Sequence, residues 1–301
     1  MNLICDTNIW YNIESGKIDI NKLRSEGYRL VANPINVWEI TTNEKYNIDI
    51  KKKIVNCILE NSDDFIVKSP DEYLIELWGS KFEIEPINWK EVLQEYKKYI
   101  CGEDNKLNIS SIKNQKESNY NNFSQDVSSV IERFLPGYVE NRKEGKAIHK
   151  KKNEIKRIEK KDMSYMICET FSSTFLRANG NVINGKKISD YDCIKVFASI
   201  YSRYENFKKN RGGDVCEFLE YLFPGQSDIK KIYNEKLKVY CTAYSYYILE
   251  TLSNKLNEPN DLGDLELLMY INNDNKLFTK ENKWKEIIKN AGLEEYLFSE
   301  I

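Results

Sequence analysis

Histidine is almost absent from this chain of 301 residues, which contains His149 alone. A Ser-His-Asp triad would depend on that one residue, and a metal centre built from several histidines is excluded. The seven cysteines are odd in number, scattered along the chain and never spaced as C-x-x-C. Because this pattern favours a reducing compartment over a disulfide scaffold or a zinc site, we predict a cytoplasmic location.

Long apolar runs are missing as well. No stretch approaches the length of about 18 residues that a membrane span needs, so we predict no membrane partner. The first residues lack the basic and apolar regions of a signal peptide, and we expect no secretion. The phosphate-binding motifs G-x-G-x-x-G and G-x-x-x-x-G-K-S/T are absent too, which disfavours a nucleotide-binding α/β enzyme but leaves that alternative open.

Positive charge is not in excess, since the formal net charge is −2. The segment KAIHKKKNEIKRIEKK, at residues 146–161, is nevertheless locally basic, which is typical of a surface that binds a polyanion. The residues that we expect to contact nucleic-acid phosphates are Lys150, Lys151, Lys152, Lys156 and Arg157. The alternative, a solvated helix face without a partner, stays open.

The sequence does contain a repeated order of short apolar run, polar turn and helical pattern. The run LIC leads into Asp6, and a run around Leu30 is followed by Pro34 and a helical pattern that carries Glu39. Further along, NDLGDLELLMY predicts a helix that begins near Asp264, and KLFT predicts a strand that precedes Glu281. This order predicts an α/β fold with a parallel sheet. For Asp6 alone, a helix N-cap is the alternative interpretation.

The middle of the chain, residues 73–257, has the character of long charged helices. Within it, the Asn- and Ser-rich stretch EDNKLNISSIKNQKESNYNN, residues 103–122, predicts a flexible loop. Tyr240, Tyr244 and Tyr247 predict one packed helix face, with base stacking as the alternative. We therefore predict a core at 1–72, a helical insertion at 73–257 and the rest of the core at 258–301.

The acidic side chains of the strand and helix units predict a metal site. Right-handed crossovers bring the carboxyl ends of parallel strands to one edge, so Asp6, Glu39, Asp264 and Glu281 should cluster there. Clustered carboxylates repel one another unless a cation neutralises them, and Mg²⁺ and Mn²⁺ prefer oxygen ligands of this kind. Asp261 is a further candidate, because it lies three residues before Asp264 on the same helix face.

In the motifs ICDTN, NPINVWEI and NDLGDLELLMYINNDNKLFTKEN, the chain resembles the PIN-domain nucleases. The resemblance implies a PIN-like three-layer α/β fold with a central parallel sheet, here with a large and mostly α-helical insertion. It also implies an Mg²⁺- or Mn²⁺-dependent endonuclease that hydrolyses phosphodiester bonds in single-stranded RNA, which we favour, or in structured DNA. Asp6, Glu39 and Asp264 would then bind the metal.

The same resemblance implies roles for the neighbouring residues. Glu281 would be a fourth catalytic acid, and Asn8 and Thr279 would hold the carboxylates from behind. Glu281 stands where the family has Asp, so we expect it to contact the metal through water. The insertion would narrow the choice of substrate or bind a partner. The alternative is a catalytically inactive PIN-like module that binds RNA or a protein. A regulator, such as an antitoxin or a defence-system partner, and homo-oligomerisation stay open.

Overall fold

The protein is described here from a computed structural model. The structure describes residues 1–103, 108–134, 152–180, 182–183, 186–187, 202–209, 214–223, 228–253 and 260–299. The chain divides into two compact units. Unit 1 consists of Met1–Tyr73, Ile84–Asn121 and Pro259–Ile301, and unit 2 consists of Leu74–Glu83 and Asn122–Glu258.

The strands in the described ranges are β1 (Asn2–Cys5), β2 (Arg29–Ala32), β3 (Asp64–Phe65), β4 (Val182–Ile183), β5 (Lys186–Lys187) and β6 (Asn275–Phe278). Unit 1 contains a four-stranded parallel sheet in the order β3-β2-β1-β6. Ile4 of β1 aligns with Val31 of β2 on one side and with Leu277 of β6 on the other. The prediction of an α/β fold with a parallel sheet is therefore confirmed.

The helices are α1 (Thr7–Glu14), α2 (Ile20–Ser25), α3 (Pro34–Thr42), α4 (Ile48–Asn61), α5 (Pro70–Leu77), α6 (Trp89–Ile100), α7 (Ile109–Phe134), α8 (Lys152–Ala178), α9 (Val215–Leu222), α10 (Lys238–Ser253), α11 (Asp261–Leu267) and α12 (Asn282–Asn290). Residues 202–209 are also helical, and a short helix at Ile229–Lys231 runs through the π-helical turn Ile232–Leu237 into α10. None of the helices in the described ranges is both long and apolar enough to cross a membrane.

Polar side chains set where the helices of unit 1 begin. Asp6 caps α1, and Asn47 caps α4 by accepting a hydrogen bond from the backbone N–H of Ile50 at 2.9 Å. At α3, Asn33 and Asn36 form a reciprocal capping box, and Pro34 occupies the first turn. Each cap satisfies N–H groups that have no partner inside the helix, and after β1 and β2 the cap lets the strand pass directly into α1 or α3.

The core of unit 1 covers both faces of the sheet. Leu3, Ile4 and Cys5 are consecutive in β1 and all buried, although their side chains alternate between the two faces. Such a continuous apolar run is what a parallel strand between two layers of helices requires. Trp10 of α1, which is fully buried, joins the same core.

Unit 2 is mainly helical. Its largest packed pair of helices is α8 with α10, and the ring of Trp78 stacks edge-on against Phe171 and Phe175, with centroids 5.1 and 5.0 Å apart. Tyr240 and Tyr247 of α10 are buried, which supports the packing interpretation of the tyrosine stripe over base stacking. A short antiparallel hairpin, β4 with β5, completes the described part of the unit.

One predicted loop was wrong. Residues 103–122 were expected to form a loop, but α7 begins at Ile109. Asn108 caps this helix by accepting a hydrogen bond from the backbone N–H of Ser111 at 3.0 Å, and Ile109 packs against the core of unit 1. Tertiary packing and a cap have outweighed the poor helix propensity of Asn and Ser, which sequence composition alone cannot anticipate.

The boundaries of the two units can be compared with those of the predicted core and insertion. Residues 84–121, which the sequence analysis placed in the insertion, belong to unit 1 together with the sheet. Within them, Leu93, Tyr96 and Ile100 of α6 are buried in the core that contains β1. The role of the predicted insertion in substrate or partner choice stays a prediction.

Candidate active site

The strand order places two chain segments side by side at the carboxyl edge of the sheet. β1 is followed along the chain by β2 on one side, whereas β6 lies on its other side. Ligands of open α/β sheets bind outside the carboxyl ends of the strands at the position where the strand order reverses, which here lies between β1 and β6. Cys5 pairs with Phe278, so the next residues, Asp6 and Thr279, emerge together at this position.

Asp6 is held there by long-range hydrogen bonds. Its carboxylate oxygen Oδ2 accepts from the hydroxyl of Thr279 at 2.6 Å and from the side-chain amide of Asn8. The Thr279 hydroxyl in turn accepts from the backbone N–H of Glu281 at 3.1 Å and from Asn8 Nδ2 at 3.3 Å. One donor and two lone pairs of the hydroxyl are therefore all used, which fixes the orientation of Asp6.

The amide of Asn8 is itself oriented by the segment that follows β6. Its oxygen Oδ1 accepts a hydrogen bond from the backbone N–H of Lys280 at 3.1 Å, so the nitrogen faces Asp6 and Thr279. Asp6 also accepts from the backbone N–H of Asn8 at 3.4 Å as the cap of α1. The capping and the functional interpretations of Asp6 are thus compatible.

A second buried network, which sequence reasoning missed, joins α3 to the end of β1. The side-chain amide of Asn36 donates to the carbonyl of Cys5 at 3.0 Å and to the hydroxyl of Thr7 at 3.1 Å. Its oxygen accepts from the indole of Trp10 at 3.1 Å. Asn33 donates to the same Cys5 carbonyl at 2.9 Å. The signal for this network is the N-P-x-N motif, in which both asparagines can cap α3.

This network fixes α3 and therefore the position of Glu39. Glu39 is half-buried, and its Oε1 atom is 3.2 Å from the point where a Cβ of Gly263 would lie. Ile35 Cγ2 is equally close to that point, at 3.2 Å. Because Gly263 has no side chain, α11 can approach α3 closely, and the next residue of α11 is Asp264.

The site is electrostatically unfavourable for Asp264. Burial raises the pKa of Asp264 well above its usual range, and the negative charges of Asp6, Glu39 and Glu281 raise it further. A hydrogen bond from the Trp284 side chain opposes this shift only in part. Three carboxylates from three other parts of the chain therefore act on Asp264 from one side of the sheet.

The pKa of Asp6 is raised as well, but by burial alone. The hydrogen bonds from Thr279, Asn8 and the backbone lower it. Glu281 lies at the rim of the site and is exposed to solvent. Its pKa is nevertheless raised, first by partial burial of its carboxylate and then by the charge of Asp6. The four acids are thus linked by electrostatic repulsion, which acts between Asp264 and the other three and between Asp6 and Glu281.

Asp261 differs from these four acids. It is buried, but Lys283 of α12 forms an ion pair with its Oδ1 atom at 2.5 Å. Lys283 also lies over the ring of Trp284, with 5.4 Å between the ammonium nitrogen and the ring centroid. The chain therefore supplies its own cation to Asp261. Sequence reasoning did not find Lys283, because its pairing depends on how α11 and α12 pack.

The predicted metal ligands do not form a closed coordination set. Within the described ranges, no group of three or more His, Cys, Asp or Glu side chains has the arrangement of a metal site. The donor chemistry nonetheless fits a hard divalent ion, because Mg²⁺ keeps several waters and needs only one or two direct carboxylates. That Asp6, Glu39 and Asp264 bind one metal stays a prediction.

The predicted nucleic-acid contacts cannot be placed. Lys150 and Lys151 lie outside the described residues. Lys152, Lys156 and Arg157 belong to the first turns of α8, of which the structure describes the helical backbone but not these side chains. Their role in binding phosphates stays a prediction.

Comparisons with known proteins add no assignment. No model of a protein family matches the chain, and neither the curated proteins nor the solved structures contain a match. The function of the chain must therefore be inferred from the site itself.

Proposed function

We propose that this protein is a metal-dependent nuclease with a PIN-like core, and that it hydrolyses phosphodiester bonds, in single-stranded RNA rather than in DNA. The observation that carries the proposal is the convergence of acidic side chains at the reversal of the strand order. Asp6 and Thr279 are 273 positions apart in sequence but share a hydrogen bond at this edge. Glu39 reaches the same place through its close approach to Gly263.

The proposed cofactor is Mg²⁺ or Mn²⁺, and the residues that would hold it are Asp6, Glu39 and Asp264. When bound, the ion would lower the pKa of an attacking water and offset the charge that develops on the phosphate. Thr279 and Asn8 keep Asp6 in one orientation, so the site needs little rearrangement.

Among the described residues of the site, the acids are the candidate proton acceptors, and His149 lies outside the described residues. Glu281 is the best placed, since it is exposed at the rim and its pKa is raised by burial and by Asp6. It can therefore take up a proton from water at the open side of the site, while the buried Asp6 and Asp264 stay in place as ligands.

An inactive PIN-like module that binds RNA or a protein is the second candidate. Caps and hydrogen bonds explain Asp6 without any catalysis, and this observation favours that reading. An inactive module would not explain why Asp264 is buried beside three other negative charges. We therefore prefer the nuclease.

The test is an assay with labelled single-stranded RNA and DNA in the presence of Mg²⁺, Mn²⁺ or a chelator. The key variant is Asp6→Asn, which keeps the cap of α1 but removes the charge. Asp19→Asn is the matched control, because Asp19 also caps a helix, α2, but is exposed and outside the site. We expect Asp6→Asn to remove metal-dependent cleavage and Asp19→Asn to retain it. Full activity of Asp6→Asn would contradict the proposal.

A further inference from the structure

A cavity beside the carboxylates has the opposite charge. It has a volume of about 270 Å³ and lies between the end of β6, the helix α12 and the residues that follow Leu297. Its wall includes Lys280, Lys285 and Lys289, whereas its base is formed by Phe278 and Phe298. Thr279, which holds Asp6, also lines this cavity. The lysine pocket, defined by these residues, therefore adjoins the carboxylate site through one side chain.

The local fold explains why the three lysines face one space. Lys285 and Lys289 are four residues apart in α12, so they project from the same side of the helix. Phe298 donates its backbone N–H to the carbonyl of Leu277 at 2.8 Å, which carries the returning chain along the edge of β6. Lys280 follows Thr279 directly at the carboxyl end of β6. The pocket is thus built from rigid elements.

The charges of Lys285 and Lys289 are available to a ligand. Lys285 is half-buried and Lys289 is exposed, and neither forms an ion pair or a side-chain hydrogen bond with any residue in the described ranges. Phe278 and Phe298 provide an apolar base, their rings packing edge to face with centroids 4.8 Å apart. A low-dielectric wall beside ammonium groups strengthens their attraction for an anion.

The size of the pocket restricts the ligand. Sites for whole small molecules have volumes of about 300–1,000 Å³, so this cavity suits a single charged group. Lysine binds phosphate as a point charge, and several lysines around one small cavity match the spread negative charge of a phosphate group.

We propose that the lysine pocket binds a backbone phosphate of a nucleic-acid strand, next to the phosphodiester that the carboxylates and their metal would cleave. This inference rests on the proposed nuclease function. It assigns a substrate-positioning role to Lys285 and Lys289, which touch neither the metal ligands nor the reacting bond. The strand would pass from the lysine pocket over Thr279 to Asp6.

The test measures binding without cleavage. Labelled single-stranded RNA and DNA are titrated with protein in a chelator, at salt concentrations from about 50 to 200 mM. The variant is Lys285→Gln with Lys289→Gln. The matched control is Lys17→Gln with Lys22→Gln, because both residues are exposed and lie between α1 and β2, towards the amino ends of the strands.

Loss of two phosphate contacts should reduce the slope of log K against log salt by about 1.4, since each contact to a single strand contributes about 0.7. Binding should weaken by about tenfold, and the control should keep both values. A variant slope equal to that of the unmodified protein would overturn the inference. So would the failure of the unmodified protein to bind RNA or DNA in a salt-dependent way.

The two proposals can fail separately. If the unmodified protein cleaves nothing with metal but the lysine variant loses salt-dependent binding, the pocket stands and the nuclease proposal is wrong. If Asp6→Asn removes cleavage while the lysine variant keeps the full slope, the nuclease proposal stands and the pocket assignment is wrong. Competition by inorganic phosphate tests whether the pocket binds a single phosphate group. Phosphate should compete with RNA for the unmodified protein and should compete less for the lysine variant.

Discussion

The buried acids of unit 1 and the buried hydroxyls of unit 2 are satisfied in different ways. In unit 2, buried hydroxyls are satisfied inside their own helices: Thr170 donates to the carbonyl of Met166 at 2.9 Å, and Ser245 donates to that of Cys241 at 2.8 Å. In unit 1, Asp6 depends on Thr279 from the far end of the chain. Local satisfaction needs no function to explain it. Polar groups that are gathered over such sequence distances, and that still repel one another, indicate a site.

The buried thiols of the two units do not differ in this way, since burial raises the pKa of Cys5 in unit 1 far above its usual range as well. Burial raises the pKa of Cys168 and of Cys241 far above the usual range, so both stay neutral and unreactive at physiological pH. They contribute volume to the core of unit 2. The acids of the site in unit 1 cannot stay neutral in the same way, because a protonated carboxyl group would not hold the cation that we propose.

A sharper contrast lies within unit 1, between Asp261 and Asp264. The two are one helical turn apart and both buried, but Asp261 has Lys283 as its own cation, whereas Asp264 faces three other acids. The two residues therefore contrast an ion pair within the chain with the site at which we propose that a cation binds. The following predictions are ordered from the largest expected effect to the smallest.

The largest effect should come from Asp264→Asn compared with Asp261→Asn. We expect Asp264→Asn to leave no detectable metal-dependent cleavage, because it removes the acid at the centre of the group. Asp261→Asn should keep most activity but lower the melting temperature, since Lys283 loses its buried partner. Cleavage assays and thermal unfolding measure both. Equal loss of activity in the two variants would remove the contrast and make Asp261 a metal ligand.

Glu281→Gln should have an intermediate effect. Glu281 is exposed at the rim and is expected to contact the metal through water, and the loss of such an outer partner typically costs about 10- to 100-fold. The control is Glu286→Gln, an exposed acid further along α12. If Glu281→Gln proves as inactive as Asp264→Asn, Glu281 must bind the metal directly.

Gly263→Ala should have a smaller effect. A Cβ at this position would lie 3.2 Å from Glu39 Oε1 and from Ile35 Cγ2, so Glu39 must move by a few tenths of an ångström. We expect metal affinity to fall severalfold. The melting temperature should change little, because the gain in helix propensity of about 1 kcal/mol offsets the crowding. Gly263→Ser should lose more affinity than Gly263→Ala, and equal affinities in all three proteins would show that this close approach does not position Glu39.

The pH dependence of stability should give the smallest effect. The folded-state pKa of Asp264 is raised, whereas in the unfolded chain it is near about 4. Below the unfolded pKa the group is protonated in both states and costs nothing. As pH rises from the unfolded pKa towards the folded pKa, the unfolded chain loses its proton first, so folding stability falls over this interval and levels off above it.

Metal-free protein should therefore have a higher melting temperature near pH 5 than near pH 8, by a few degrees. Asp264→Asn should reduce this difference, since the amide does not titrate, and Asp274→Asn should not, because Asp274 is exposed in a turn before β6. If the melting temperature of the metal-free protein rose with pH instead, the ionised acids would be stabilised without a bound cation, which would contradict the prediction.

The sequence predicted site residues where an acidic side chain stands at the end of a strand pattern or at the start of a helix pattern. Asp6, Asp264 and Glu281 were predicted because each follows an apolar strand or begins a helix, and the topology of a parallel sheet would place them at one edge. Thr279, in contrast, was predicted from the resemblance alone. Lys283 could not be found in this way, since its ion pair depends on the packing of α11 against α12. Asn36 was missed because its four partners come from β1, α1 and α3, which sequence periodicity does not relate.

The same reasoning explains the errors in the middle of the chain. The propensities of Asn and Ser predicted a loop at 103–122, but Ile109 packs against the core of unit 1 and α7 forms. The lysine pocket was equally invisible, because Lys285 and Lys289 look like an ordinary charged helix face. Only the return of the chain at Phe298 encloses them.

The central claim is that Asp6, Glu39 and Asp264 form one cation site. The most direct measurement is a Mn²⁺ titration followed by electron paramagnetic resonance, in which the signal of free Mn²⁺ decreases as the ion binds. The account predicts saturable binding to the unmodified protein and to Asp274→Asn, with binding lost in Asp6→Asn and in Asp264→Asn although both variants stay folded. Binding of the same stoichiometry and affinity in all four proteins would contradict it.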